Sequence, residues 1–298
     1  MESVERLQRR IDTLGELHTI VRTMKALSAV SIRQYERAAQ ALDDYYRTVE
    51  LGLHVVLKDM ESPPSPLHRR GEAQRLAAIV FGSDHGLCGR FNEDIAAFAL
   101  QRMEASTASP EGRRLLAVGS RVAANLEQAG QVVEEDFLVP GSAARITATV
   151  QQVLLKIDEW RSEGDIRYVY IFYNRHLSRG GYHPTGVELL PVNLRRFQRL
   201  EEAPWPSRRL PTFTMDRKGL LAALLRQYFF VSISRACAES QASEHASRLA
   251  AMQSAEKNLD ERLEEVTTLF RRLRQDAITT ELLDVVSGFE AVTAGGHE

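Results

Sequence analysis

The residues best equipped for chemistry lie in one short stretch, FGSDHGLCGRFNEDI from Phe81 to Ile95, where glycines alternate with a thiol, an imidazole and carboxylates. It follows an apolar run and opens onto a helix-like segment, the setting in which backbone N–H groups often hold a phosphate. A nucleotide-binding P-loop would need GxxxxGK[ST], with a Lys for phosphate charge and a hydroxyl for magnesium. Here the second half reads LCGRFN instead. Cys88, with His85 three residues before it and Asp84 nearby, has the residue types of a thiol nucleophile, a base and an orienting group. Neighbours on one turn rarely reach that geometry. The alternative is a tight strand-to-helix turn in which Gly82, Gly86 and Gly89 allow close backbone approach and Cys88 packs as a small hydrophobe.

Other chemistry finds less support. The eight histidines form no HExxH, and only His176 and His183, on opposite arms of a predicted hairpin, approach ligand spacing, so no metal or cofactor is expected. Two cysteines, Cys88 and Cys237, make neither a disulfide framework nor a CxxC. Arg6, Arg9, Arg10, Arg22, Lys25 and Arg33 collect early in the chain, and Arg271, Arg272 and Arg274 late. Such charges either solvate a helix face or meet an acidic partner surface through salt-sensitive attraction, and sequence physics leaves both open.

The elements that must position these residues are legible from spacing. From Val4 through Leu7, Ile11, Leu14, Val21, Met24, Leu27, Ile32, Tyr35, Ala39, Leu42, Tyr46, Val49, Leu53 and Val56, apolar residues recur mostly at alternating gaps of three and four, with no Pro before Pro63. That predicts one helix about 80 Å long with a heptad-like stripe. Pro63, Pro64 and Pro66 end it and mark a linker near residues 58–75. RLAAIVF from Arg75, LLAV from Leu115 and YVYIFY from Tyr168 read as buried strands, with helix-like stretches at Glu93–Met103, Arg121–Ala129 and Ala143–Trp160 between or beside them. Gly180 and Gly181 supply a turn after which GVELLPV returns as a further strand, and Trp205, Pro206 and Pro211 close the region.

From about Asp216 no Pro occurs, and Leu259, Leu263, Val266, Phe270, Leu273, Ala277, Leu282, Val285 and Phe289 repeat the stripe, predicting a second helix of about 110 Å. Two striped helices at opposite ends of a chain cover each other best as an antiparallel pair. The fold class is therefore α/β: a long antiparallel two-helix coiled coil plus a small central, Rossmann-like α/β domain. The expected boundaries are a coiled-coil helix over 1–58, the α/β domain over 75–210 and a second coiled-coil helix over 212–290.

Composition agrees. The 298 residues are 44% hydrophobic and 26% charged, the balance of a folded, well-solvated chain. With 38 Lys plus Arg against 40 Asp plus Glu, the formal net charge of −2 gives no general drive toward nucleic acid or anionic lipid. The charged N-terminus does not read as a secretion signal, and no run of about 18 apolar residues suggests membrane insertion.

Three blocks, in order, resemble the gamma-subunit family of F-type ATP synthases. RRIDTLGELHTIVRTMKALSAV (Arg9 to Val30) is similar to its N-terminal helix. FGSDHGLCGRFN matches its GSD-x-GLCG-x-x-N turn. SEHASRLAAMQSAEKN (Ser243 to Asn258) and RQDAITTELLDVVSGFEA (Arg274 to Ala291) match its C-terminal signature. The departures, His85 for a usual Arg, Arg90 for Gly, Ser31 for a common Lys and a Pro missing from FTMD (Phe213 to Asp216), point to a divergent, alternative bacterial branch.

The resemblance implies a central rotor shaft, itself without catalytic residues, on the cytoplasmic face of the bacterial inner membrane. It would turn inside a ring of alpha and beta subunits, with the epsilon subunit and the membrane c-ring at its foot, as protons or sodium ions pass. By the same resemblance Met24 and Lys25 meet the beta-subunit lever. Cys88 and its turn face that lever or epsilon, and Arg274, Gln275, Thr279 and Glu281 lie where the catch loops grip. Two rival readings remain beside it: a coiled-coil scaffold or adaptor with an α/β head, and an α/β enzyme using Cys88.

Overall fold

The structure is a computed structural model that describes residues 3–58, 75–105, 112–163, 166–177, 181–194, 197 and 211–294, without the side chains of 288–294. The proline linker at Pro63, Pro64 and Pro66, together with Gly180, Trp205 and Pro206, lies outside the described residues. In chain order the elements are α1 (Val4–Lys58), β1 (Arg75–Phe81), α2 (Phe91–Glu104), β2 (Arg113–Val118), α3 (Ser120–Gln128), β3 (Glu135–Phe137), a 3-10 turn (Ala143–Arg145), α4 (Ile146–Ser162), β4 (Ile166–His176), β5 (Tyr182–Leu190) and α5 (Arg217–Ala294). They form two compact units, one of residues Ser28–Arg248 and one of Met1–Leu27 with Leu249–Glu298.

In the unit of residues 28–248 the sheet order is β3-β2-β1-β4-β5. The pairs β1–β2, β2–β3 and β1–β4 are parallel, and β4–β5 is antiparallel. Parallel strands need covered faces, and β1 shows both through its period of two. Ala77, Ile79 and Phe81 belong to one core with Val150, Val153, Ile157 and Trp160 of α4, Tyr35, Val49 and Leu53 of α1, and Tyr228, Ile233 and Cys237 of α5. Leu76, Ala78 and Val80 belong to the other, with Ile95, Ala99 and Met103 of α2 and Val122 and Leu126 of α3. This is the doubly wound arrangement expected from alternating strands and helices. Here α1 and α5 are antiparallel: Arg235 pairs with Asp43 at 2.7 Å, Tyr45 donates to Gln227 at 2.7 Å, and Tyr35 stacks on His245.

In the second unit the two helices are again antiparallel, since His18 meets Asp260 at 3.1 Å and Lys25 pairs with Glu256. Val4, Leu7, Ile11, Leu14 and Val21 of α1 turn inward, as do Met252, Leu259, Leu263, Val266, Phe270 and Leu273 of α5. Gaps of three and four on both partners make this a coiled-coil seam. The expected stripe is corrected in two places. Leu27 is exposed and Ser28 is buried, so the seam steps by one residue there. Beyond Leu273, Ala277, Leu282 and Val285 face solvent. From there α5 runs beyond the start of α1, and these apolar residues are exposed among the described residues.

By length and composition α5 alone among the described helices reaches the lower limit for a membrane span. Its apolar side is used internally, with Tyr228, Val231, Ile233, Cys237 and Ala238 buried. The short β3 went unread because EDF carries no apolar alternation: it is an edge strand with two exposed acids. Ile79 sits at 0% exposure in the central strand. Replacing it by Ala is expected to cost about 2–5 kcal/mol in urea unfolding of the isolated chain.

Candidate functional site

The turn after β1 is held by a dense set of short bonds. Gly82 N–H donates to the Val118 carbonyl at 2.8 Å, extending the sheet by one step. A Cβ at Gly82 would sit 2.4 Å from Cβ of Val122, and one at Gly119 (φ +120°) would meet Ser83 backbone at 2.7 Å. Only glycine fits either place. Gly89 lies at φ +60°, but Gly86 has room for a methyl, so the expectation of close approach holds for Gly82 and not for Gly86. Ser83 N–H donates to Asn92 Oδ1 at 2.9 Å, Asn92 Nδ2 donates to Ser83 Oγ at 2.8 Å, and Ser83 Oγ donates to the His85 carbonyl at 2.8 Å.

Asp84 is spent on structure, because its two oxygens accept from the N–H groups of Ser120 and Val139 at 3.1 and 3.0 Å, fixing the start of α3 and the exit of β3. Cys88 is 1% exposed. Its sulfur lies among the His85 carbonyl, the Ser83 hydroxyl and the Asn92 amide. Burial pushes its thiol pKa up, more than the Ser83 hydrogen bond holds it down, and burial pushes Cys237 up to about 12. A nucleophile needs the thiolate, so neither cysteine is prepared for attack. His176 pairs across the sheet with Tyr182 while His183 pairs with Arg175. The two imidazoles therefore stand on opposite faces, and no cluster of metal-ligating side chains occurs among the described residues.

In an open α/β sheet, ligands bind beyond the carboxyl ends of the strands where the order reverses, here between β1 and β4. That crevice is filled by α5. Ser243 Oγ shares its donation between the carbonyl of Asn174, near the end of β4, and that of Glu239 in its own helix, each at 2.8 Å. Ser247 Oγ donates to the Cys88 carbonyl at 2.6 Å, and Arg248 Nη2 donates to the His85 carbonyl at 3.3 Å. Arg248 is paired with Glu244 at 2.7 Å, and Gln241 donates to the same carboxylate at 2.9 Å. Burial raises the Glu244 pKa against the pull of Arg248. The crevice presents backbone carbonyls, which suit the donors of α5 and not a phosphate, and the helix occupies it.

The residues expected to touch partners fall in separate places. Met24 and Lys25 are half-buried, and Lys25 is engaged with Glu256, whose carboxyl it holds below the usual range. Arg274 is exposed beside Val4, Glu5 and Arg9 at the start of α1, and Gln275, Thr279 and Glu281 are exposed farther along α5, near exposed Ile278, Leu282, Leu283, Val285 and Val286. Thr279 Oγ1 donates to the backbone carbonyl of Gln275 at 2.9 Å, and Gln275 is exposed. Cys88 belongs to the other unit and is buried, while Leu87, at φ +63° and 62% exposed, is the apolar point its turn presents. Sequence reasoning missed Leu87, Asn174, Glu244, Ser247 and Arg248. The signal for the last three was that Glu244 stands three and four residues before Ser247 and Arg248, which puts them on one face of the helix.

A family model described as ATP synthase matches residues 3–292. The chain belongs to the ATP synthase family. Among its relatives, the ATP synthase gamma chain of Desulforamulus reducens is 26% identical over 296 residues, spanning 98% of this chain and all of that one. The gamma chain of Paracoccus denitrificans is 27% identical over 300 residues, with 98% and 100% covered. The fold resembles a chain of the Euglena gracilis mitochondrial ATP synthase, in an assembly of OSCP, F1 and c-ring, with a TM-score of 0.67 and 19% identity over 99% of this chain and 96% of that one. A chain of the Tetrahymena thermophila mitochondrial ATP synthase central stalk and c-ring gives 0.56 at 20% identity, over 79% and 99%. For this member of the ATP synthase family, the glycine-rich turn is thus a joint between sheet and helix.

Two outcomes are expected. A bulky thiol reagent will label neither cysteine of the folded chain and both after denaturation; labelling of Cys88 in the native state at the rate of a free thiol would contradict its burial. His245, stacked on Tyr35 and near Arg248, has its pKa lowered to about 4 by burial first and Arg248 second. The unfolded chain therefore binds the extra proton first, so stability falls as pH drops from about 6.5 to about 4, by at most about 3 kcal/mol. Buried Glu244, with its raised pKa, works in the opposite sense, so the difference between the wild type and His245→Gln isolates the histidine. As pH drops across that range, the melting temperature of the wild type should fall more steeply than that of His245→Gln.

Proposed function

We propose that the chain is the gamma subunit, the central rotor shaft, of an F-type rotary ATP synthase. In this role it couples ion flow through a membrane c-ring to ATP synthesis or hydrolysis in a ring of alpha and beta subunits. The observation that carries it is the end of α5, where the coiled-coil seam stops at Leu273 and exposed apolar and polar residues continue on a bare helix. Exposed apolar residues grouped on one element mark a surface that another chain covers. A soluble helix that kept Ile278, Leu282, Val285 and Val286 in water would be poorly placed on its own.

The chain has no catalytic residues of its own on this reading, and its work is mechanical. A shaft is asymmetric in cross-section, so three identical surrounding sites each receive different contacts and hence a different closing free energy. Turning the shaft moves those differences from site to site. Arg274, Gln275, Thr279 and Glu281 supply grip on the overhang, Met24 and Lys25 meet the beta subunit's lever, and the turn of Cys88, through exposed Leu87, faces that lever or epsilon. The shaft helices are residues 1–58 and 212–290 and the α/β body is 75–210. The complex sits peripherally on the cytoplasmic face of the bacterial membrane, and the chain itself does not insert.

Mixed with its cognate alpha and beta subunits, the chain should co-elute with them and give a complex whose ATPase activity none of the components shows alone. Separate elution of the chain would sink the rotor assignment. Within the assembled complex, Gln275→Ala or Thr279→Ala should lower ATPase at least about threefold, the scale of one lost interface contact, with the melting temperature of the isolated chain unchanged. Full activity in both variants would remove the grip from these residues.

A further inference from the structure

We infer that the α5 side chains filling the β1–β4 crevice are a torsional clamp: Ser243, Ser247 and Arg248 fix the angular setting of α5 about its own axis against the sheet, so that torque passes between them. This rests on the rotor reading. Three observations support it. The helix presents three donors, within six residues, to three different backbone carbonyls, those of Asn174, Cys88 and His85. One such bond would leave a helix free to pivot, whereas several displaced along the helix hold a single rotation. Next, the acceptors themselves are rigid. The Cys88 and His85 carbonyls lie in the turn cross-braced by Ser83 and Asn92, and Asn174 Nδ2 donates to the Phe91 carbonyl at 2.9 Å, tying β4 to the start of α2. Last, the donors are braced from their own helix, Arg248 by Glu244 and Glu244 by Gln241.

Apolar packing holds a helix against a sheet without specifying its rotation, because the hydrophobic effect is non-directional. Hydrogen bonds are directional and weaken steeply when bent. On a helix that continues beyond Arg248 to Ala294 as one element, the clamp is the place where twist applied farther along meets directional resistance. A ligand crevice occupied by the protein's own helix thus serves as an anchor rather than as a binding site.

The test separates load from turnover. In the complex with cognate alpha and beta subunits, reconstituted with its membrane sector in vesicles, Ser247→Ala should leave ATP hydrolysis without an ion gradient within about twofold of wild type. ATP-driven ion pumping against a gradient should fall about fivefold, as one lost hydrogen bond of about 1 kcal/mol allows. Ser247→Thr, which keeps the hydroxyl, should restore pumping. Arg248→Lys, which keeps the pair with Glu244 but loses the planar fork, should behave as Ser247→Ala and serves if the alanine variant does not assemble. Equal loss of loaded and unloaded activity, or wild-type pumping in both Ser247→Ala and Arg248→Lys, would overturn the clamp while leaving the rotor reading intact. Failure of the wild-type chain to support any hydrolysis with cognate subunits sinks both.

Discussion

The contact between the polar side of α5 and the carboxyl ends of β1 and β4 is the constraint on which the rest of the structure depends. A long helix can be laid against a sheet in many rotations if only apolar area is at stake. Here an ion pair, Glu244 with Arg248, is taken out of water together with Ser243 and Gln241. Buried charge is tolerated only when paired and hydrogen-bonded. The arrangement therefore has one good register, in which the serines and the guanidinium reach the carbonyls of the turn and of Asn174. Buried ion pairs are weak sources of stability, and their best-attested use is to specify one arrangement among several. That use fits a helix whose rotational setting matters.

The same contact explains why the glycine-rich turn looks like a binding loop and is not one. Loops after β1 in doubly wound folds keep small residues so that a ligand can come close to the backbone. This turn keeps Gly82 and Gly119 so that the exits of β1 and β2 can pass each other and so that Ser83 and Asn92 can lock together. The carbonyls it turns toward the crevice are met by α5 hydroxyl and guanidinium groups. Asp84, the candidate orienting acid, is consumed in capping α3. Asp84 and Cys88, two of the chemical residue types in the stretch, thus have structural partners, and Leu87 is its outward apolar feature.

Much of this was legible before the structure. The two terminal helices follow from apolar gaps of three and four and from the lack of proline between Val4 and Lys58 and between Arg217 and Ala294. The central strands follow from their short apolar runs. What resisted reading had physical reasons. β3 is an acidic edge strand whose pairing is made by backbone alone. The exchange of Leu27 for Ser28 at the seam cannot be seen from spacing, since a leucine is the stronger hydrophobic signal and only the neighbouring helix decides which one turns inward. The burial of Cys88 and the engagement of Lys25 by Glu256 depend on residues far away in sequence. Ser247 and Arg248, in a helix, look like solvated polar positions until the sheet beneath them is in view.

The two units divide the mechanical demands. In the coiled-coil unit the seam is apolar and repeats, so stiffness against bending comes from many modest contacts, none of which is decisive. In the α/β unit a few directional bonds set one orientation, and their loss cannot be shared out among neighbours. A shaft needs both kinds of resistance, to bending and to rotation. The exposed end of α5 adds a third feature: Ile278, Leu282, Val285 and Val286 stand in water together, the kind of surface that marks an interaction site. A scaffold protein would need the first of these features, and an enzyme none of them. Their joint presence on one continuous helix is what favours a turning part over a static one.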